Sequence, residues 1–383
     1  MSSSNAKILS LFPPSAGEIQ THEVVSLVQS RASATQETTS MRKEAKEKTI
    51  TLLESIGLNW LVPLLRLALG DDPKAQVREL FYVIGLPMIA FAIFLGLWSV
   101  GASKVHTSLG QLPGPAQVWG QFSILIDEHY AEREKEVAFY QRQEERNAEK
   151  LKADPNAKIA ERPYTGKPTF FDQIFTSLTT VFTGFLLGSL IAIPFGIACG
   201  LSEKLYAAVS PLIQIFKPVS PLAWLPIVTM VVSAVYVSDD PLFAKSFVTS
   251  AITVMLCSLW PTVINTAVGV ATIDPDLVNV GRVLRLNYLT RVVKIAIPAA
   301  LPMIFTGLRI SLGIGWMVLI AAEMLAQNPG LGKFVWDEFQ NGSSDSLGRI
   351  MVAVLAIGVI GFVLDWMMLT LQKLFSYDSK ASR

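Results

Sequence analysis

Charged side chains inside apolar runs are the first candidates for chemistry in this chain. Arg309 and Glu323 lie in the run Pro302–Leu325, and Asp365 lies in the run Ile350–Leu371. An ionisable group at membrane depth is costly unless it is paired or wetted, so such residues mark sites. Arg309 and Asp365 fall at similar depths, about 9 Å from the same end of their runs at 1.5 Å per residue. They suit a structural ion pair or, through Arg309 alone, an anion relay. Glu323, near the opposite end of its run, suits snorkelling to the interface or capping a loop.

A second cluster lies outside the apolar runs. Ala271–Pro302 carries Arg282, Arg285, Arg291 and Lys294 against only Asp274 and Asp276. The stretch reads as two short amphipathic helices joined by a turn near Arg285–Asn287. A mere connector between two membrane helices need not be this long or this patterned, so it is expected to be a docking element. Catalytic patterns are missing. Gly330–Leu331–Gly332–Lys333 has neither the spacing nor the Ser/Thr of a phosphate-binding loop. No carboxylate pair, nucleophile triad or haem-ligand set stands out. His22, His106 and His129 are scattered, and Cys199 and Cys257 sit in apolar runs as small packing residues. The chain is expected to be no enzyme, with no cofactor or metal of its own.

Positioning these residues requires a membrane. Charged residues make up 16% of the 383 positions, and the mean hydropathy is +0.43, whereas soluble domains carry about 25% charge. A net charge of +1 gives no reason for a polyanionic partner such as nucleic acid. No apolar segment occurs in the first 30 residues, so no cleaved signal peptide is expected. Residues 1–80 form an N-terminal extension, with a disordered tail to about Thr39 and an amphipathic surface helix over 49–69, where Glu54, Pro63 and Arg66 argue against a span.

Six spans are expected, at about 81–101, 174–200, 209–236, 242–268, 302–325 and 350–371. Residues 102–173 form a loop with a charged helical block over 127–167, stopped at Asp154–Pro155–Asn156. Gly184, Gly188, Ala192, Gly196 and Gly200 give the second span a small-residue stripe for close helix packing. Pro218, Pro221 and Pro226 forbid an unbroken third helix, which leaves a pathway lining or a membrane-entry loop. Residues 328–349 read as a polar loop. Short-loop cations gather on the side of the stretch 271–302 and of the tail 373–383, so that side is cytoplasmic, with both termini. The loop 102–173 is then extracytoplasmic.

The spacing of the 271–302 stretch resembles the EAA loop of ABC-importer permeases. That pattern has Glu-Ala-Ala, three residues, Gly, nine residues and Ile-x-Leu-Pro. Here Asn279, Val280 and Gly281 stand at the Glu-Ala-Ala positions, Arg285 at the Gly, and Ile295–Pro298 at the end. Further segments are similar to permeases of the nitrate/sulfonate/bicarbonate group, and most to its nitrate branch. They are LPGPAQVW, SPLAWLPI, WPTVINTAVGV, NVGRVLRL and the long run from Ile297 to Leu325 ending AAEML. The resemblance covers about 81–372; the long N-terminus and the 127–167 block depart from it. It implies an all-α polytopic type I importer permease in a bacterial inner membrane. It also implies a second permease copy, two ATPase subunits that bind ATP and Mg, and an extracytoplasmic solute-binding protein. On this resemblance Asp276, Asn279, Val280, Gly281, Arg282, Leu284 and Arg285 form the ATPase-docking surface. A small anion favours donors over carboxylates along its path, which makes Trp224, Thr262, Asn265, Thr266 and Arg309 the path candidates. A self-powered transporter would show inverted repeats and a charge relay, and neither is seen. A membrane anchor built around the 127–167 arm would not need the helix pair at 271–302.

Overall fold

The computed structural model describes residues 47–381, apart from 52, 54–58, 69–71, 108–109, 155–158, 160–161, 238–241 and 344. The tail expected to be disordered to Thr39 lies outside the described residues. The chain divides into two units at Phe81. The first contains a short turn Asn59–Leu61 followed by α1 (Val62–Ala68), then α2 (Pro73–Leu80). Seven residues of α1 reach about 10 Å, far short of a bilayer.

The described residues of the second unit are mainly helical, with one small hairpin and an irregular stretch at 162–169. In order come α3 (Leu86–Lys104), the hairpin β1 (His106–Thr107) and β2 (Gly110–Gln111), α4 (Pro115–Ala153), and α5 (Phe170–Leu201). Next are α6 (Glu203–Phe216), α7 (Pro221–Val235), α8 (Lys245–Ala271), α9 (Pro275–Val283), and α10 (Tyr288–Arg291). The chain closes with α11 (Ile297–Ala326), α12 (Leu331–Asn341) and α13 (Ser346–Ala381). Five described helical segments are long and apolar enough to cross a bilayer, and the bent pair α6–α7 makes up to six.

The core is a trio, α5, α8 and α11, packed through Val181, Val254, Leu312, Trp316 and Leu319. The small-residue stripe of α5 is spent inside the chain. A Cβ on Gly184, Gly196 or Gly200 would come within 2.5, 2.8 and 2.6 Å of the α8 carbonyls of Ala251, Val263 and Ala267. Only glycine lets the two backbones approach so closely. The proline-rich third span is broken. α6 and α7 meet at 99°, because Pro218 and Pro221 remove amide donors and Ser220 caps a new start by accepting from the Leu222 amide at 3.3 Å.

The charged block is one helix with its apolar start. α4 has 39 residues, about 58 Å, and ends at its cap residue Asp154. Pro155 and Asn156 lie outside the described residues. Leu125 near its start is buried. Farther along, the returning chain is pinned to α4: the Tyr164 amide donates to the Tyr140 hydroxyl at 3.1 Å, and the Tyr164 hydroxyl to Glu132 Oε1 at 2.7 Å. That hydroxyl bond, then Lys135, lowers the Glu132 pKa, and Glu132 in turn raises that of Tyr164. The segment read as a polar loop, 328–349, instead contains α12. It folds as a helix because Leu331 and Phe334 share a face that the core covers.

Candidate docking loop and membrane path

The cationic stretch is a helix–turn–helix. Asp274 caps α9, its Oδ1 accepting from the Asp276 amide at 2.9 Å. α9 ends in a Schellman motif: the Leu286 amide donates to the Gly281 carbonyl at 3.1 Å, and the Arg285 amide to the Arg282 carbonyl at 3.0 Å. This closure puts Arg285 in the left-handed region, at φ 48°. The position that resembles a family glycine therefore has a glycine's backbone geometry while carrying an arginine. Asn287 then caps α10 through the Thr290 amide at 2.7 Å. Gly281 is buried, and a Cβ there would lie 2.8 Å from Ile295 Cδ1, so this small residue lets α9 lie on the chain after α10.

The outward face of this loop mixes apolar and cationic groups. Val280, Leu284 and Leu289 are exposed, and Val283 is 80% exposed. Asp276, Asn279, Arg282 and Arg285 are exposed with them. Asn279 Oδ1 accepts from Arg282 at 3.5 Å, and Arg291 lies 6.0 Å from the Tyr288 ring centre.

At membrane depth, Arg309 of α11 and Asp365 of α13 form a bidentate pair, with Nε–Oδ1 2.6 Å and Nη2–Oδ2 2.8 Å. The two side chains remain 36% and 45% exposed on this chain. They border a cavity of about 240 Å³ with Trp316 and Gly361. Because α11 starts at Ile297, before the expected span, Arg309 lies about 18 Å into the helix.

The neutral path candidates separate into two groups. Thr262 and Thr266 are buried between helices. Thr262 Oγ1 shares a hydrogen with Ser311 Oγ of α11 at 2.8 Å, and the Thr266 side chain lies where a Cβ on Gly196 of α5 would strike. Both occupy helix seams in this chain, because the two faces of α8 that carry them are covered by α11 and α5. Asn265 is half-buried and donates to its own helix, at the Pro261 carbonyl, 2.8 Å. Trp224 lies at the α6–α7 bend, its ring 5.9 Å from Phe216, and Phe216 in turn stacks on Trp260 at 6.2 Å. The indole nitrogens of Trp224 and Trp260 are buried without a hydrogen-bond partner among the described residues.

Of the two readings of Glu323, snorkelling and loop capping, the structure selects the cap. Glu323 is fully buried, which removes the snorkelling alternative. Its carboxylate accepts from Ser177 Oγ at 2.9 and 2.8 Å and from the Gly332 amide at 3.0 Å. Ser177 Oγ also accepts from the Leu331 amide at 2.8 Å, and Asn328 donates to Thr180 at 3.2 Å. Glu323 thus caps the start of α12 and ties it to α5 and α11. The signal available was Gly330–Leu331–Gly332 following a lone carboxylate at the end of an apolar run. At the other end of α12, Arg349 bridges Glu338 and Glu128 of α4.

A mainly helical chain with five or six membrane-length segments among its described residues, and a cationic loop between two of them, is a polytopic membrane protein. Residues 184–377 match the family model described as binding-protein-dependent transport system inner membrane component. The chain belongs to this family, as a permease subunit of an ABC importer of the nitrate/bicarbonate type. It is 38% identical over 205 residues to the nitrate import permease protein NrtB of Leptolyngbya laminosa, covering 53% of this chain and 68% of that one. It is 33% identical over 307 residues to the bicarbonate transport system permease protein CmpB of Synechococcus elongatus, covering 79% and 94%. A CmpB from Synechocystis is 39% identical over 207 residues, covering 54% and 69%.

Proposed function

We propose that this chain is the membrane path of an ATP-driven importer for nitrate or a similarly small anion, and that ATPase subunits drive it through the loop 271–302. The observation that carries the coupling is the loop itself: a capped helix pair that exposes apolar and cationic side chains together. Buried apolar surface stabilises protein association, and exposed clusters of it mark interaction sites. ATP and Mg belong to the ATPase partners, and this subunit is non-catalytic. A second permease copy, a solute-binding protein on the outer side and the surrounding lipid complete the assembly. The stretch 271–302 and both termini face the cytoplasm, and α4 faces the opposite side.

The nitrate assignment is supported by the NrtB relative and by path groups that donate hydrogen bonds, Trp224 and Arg309 foremost. Asn265, Thr262 and Thr266 line the seams beside that path. Uptake of labelled nitrate and labelled bicarbonate into proteoliposomes containing the full importer tests the substrate. Nitrate-stimulated ATP hydrolysis with saturable nitrate uptake is expected, and uptake of bicarbonate alone refutes the assignment. ATP-independent uptake by the chain on its own refutes the importer reading in favour of a secondary transporter.

A further inference from the structure

We infer that the ATPase groove receiving this loop has an apolar floor and an acidic rim. The inference rests on the docking role proposed above and specifies the chemistry of the partner. Among the described residues, Arg282, Arg285, Arg291 and Lys294 form no ion pair. The two carboxylates of the loop, Asp274 and Asp276, stand at the opposite end of α9, where Asp274 is the cap. Asn279, which stands where the family pattern has a glutamate, is neutral and accepts from Arg282. The loop tip therefore presents positive charge without an internal counter-charge.

The apolar groups sit among these cations. Val283, Leu284 and Leu289 are 80%, 63% and 72% exposed, and they flank the left-handed turn at Arg285. Arg282, Val283, Leu284 and Arg285 are consecutive in the chain. The tip is thus a compact apolar knob rimmed by guanidinium groups. A helix lying on lipid would instead segregate its apolar residues on one long face and its cations on the other. An apolar knob with a charged rim matches a protein pocket, in which a dry centre is ringed by polar contacts. Complementary potential then demands carboxylates around that pocket, because like charges juxtaposed at an interface are strongly unfavourable.

The test uses the full chain in nanodiscs of zwitterionic lipid and the ATPase subunits that co-purify with it from native membranes. The dissociation constant is expected to rise at least tenfold between 50 and 500 mM NaCl, since rim charges are screened by salt. The double variant Arg282→Glu/Arg285→Glu is expected to weaken binding at least tenfold, and reversing a rim carboxylate of the ATPase to lysine is expected to restore it. Salt-independent binding, unchanged by the double variant but abolished by Leu284→Asp, overturns the acidic rim while leaving the docking role intact. Failure of the unaltered chain to bind any ATPase overturns the docking role itself. If the double variant keeps its ATPase, while phosphatidylglycerol in place of zwitterionic lipid slows hydrogen exchange at the loop of the unaltered chain and not of the variant, the cations serve lipid and the inference is overturned.

Discussion

Replacing Arg285 by glycine should tighten the loop that carries it. A non-glycine residue in the left-handed region costs about 1–2 kcal/mol through the clash of its Cβ with the following carbonyl. Arg285 occupies that region at φ 48° because the Schellman closure of α9 requires it. Glycine removes the clash but adds freedom to the open loop, a counter-effect of about 0.5–1 kcal/mol. The net gain is about 0.5–1 kcal/mol, which corresponds to a two- to fivefold smaller open population at about 1.4 kcal/mol per tenfold. Hydrogen exchange reads this directly at the Leu286 amide, bonded to the Gly281 carbonyl at 3.1 Å, and at the Arg285 amide, bonded to the Arg282 carbonyl at 3.0 Å. Arg285→Ala is the control, because alanine loses the charge and keeps the strained backbone. Slower exchange in the glycine variant than in the alanine variant is expected. Equal exchange in the two would refute the claim that backbone conformation, rather than the guanidinium, sets the stability of this turn.

Three further outcomes follow from the same reasoning. Arg309→Leu or Asp365→Leu leaves a charge unpaired at membrane depth and should lower the yield of folded chain, a penalty of about 1–3 kcal/mol. The swap Arg309→Asp/Asp365→Arg should recover much of it, and a swap as poor as either single variant argues against pairing. Gly332→Ala would set a Cβ 2.1 Å from the Ile320 carbonyl and should displace α12, lowering stability by about 1–3 kcal/mol in thermal melting. Glu323→Gln, which puts an amide against the Ser177 and Gly332 donors, should cost a similar amount, and a melting temperature unchanged in both would remove the cap from the account. The Glu132–Tyr164 contact concerns pH. A carboxylate with a lowered folded pKa adds stability above its unfolded value, about 4.3, and loses it as pH falls through the folded value. Protection of the Tyr164 amide should therefore fall on acidification below about pH 4, and in Tyr164→Phe protection of the same amide should start lower and its acid-linked fall should shrink. Identical profiles would show that Glu132 takes no part.

Much of this architecture was legible locally. Apolar runs of membrane length, the prolines that break the third span, the end of α4 at Asp154 and the turn at Arg285–Asn287 are all encoded within a few residues of where they act. The spacing from Asn279 to Pro298 likewise marked a helix–turn–helix with its turn at Arg285. The matching depths of Arg309 and Asp365 favoured a structural pair over an anion relay through Arg309, and the two side chains do pair.

The tertiary structure decided what reaches across the chain. Glu323 could have snorkelled or capped a loop; its burial follows from Ser177, 146 residues away, and from an amide that exists only because α12 forms. Thr262 and Thr266 looked like path donors because hydroxyls in apolar helices are polar wherever they point. Packing directed one at Ser311 and the other at Gly196, and no local pattern encodes that direction. The 328–349 stretch read as a loop because half its residues are polar, and it became helical once the core covered Leu331 and Phe334. Periodicity and turn chemistry are short-range and survive in a sequence read alone, whereas the partner of a buried polar group is chosen by which helix faces meet.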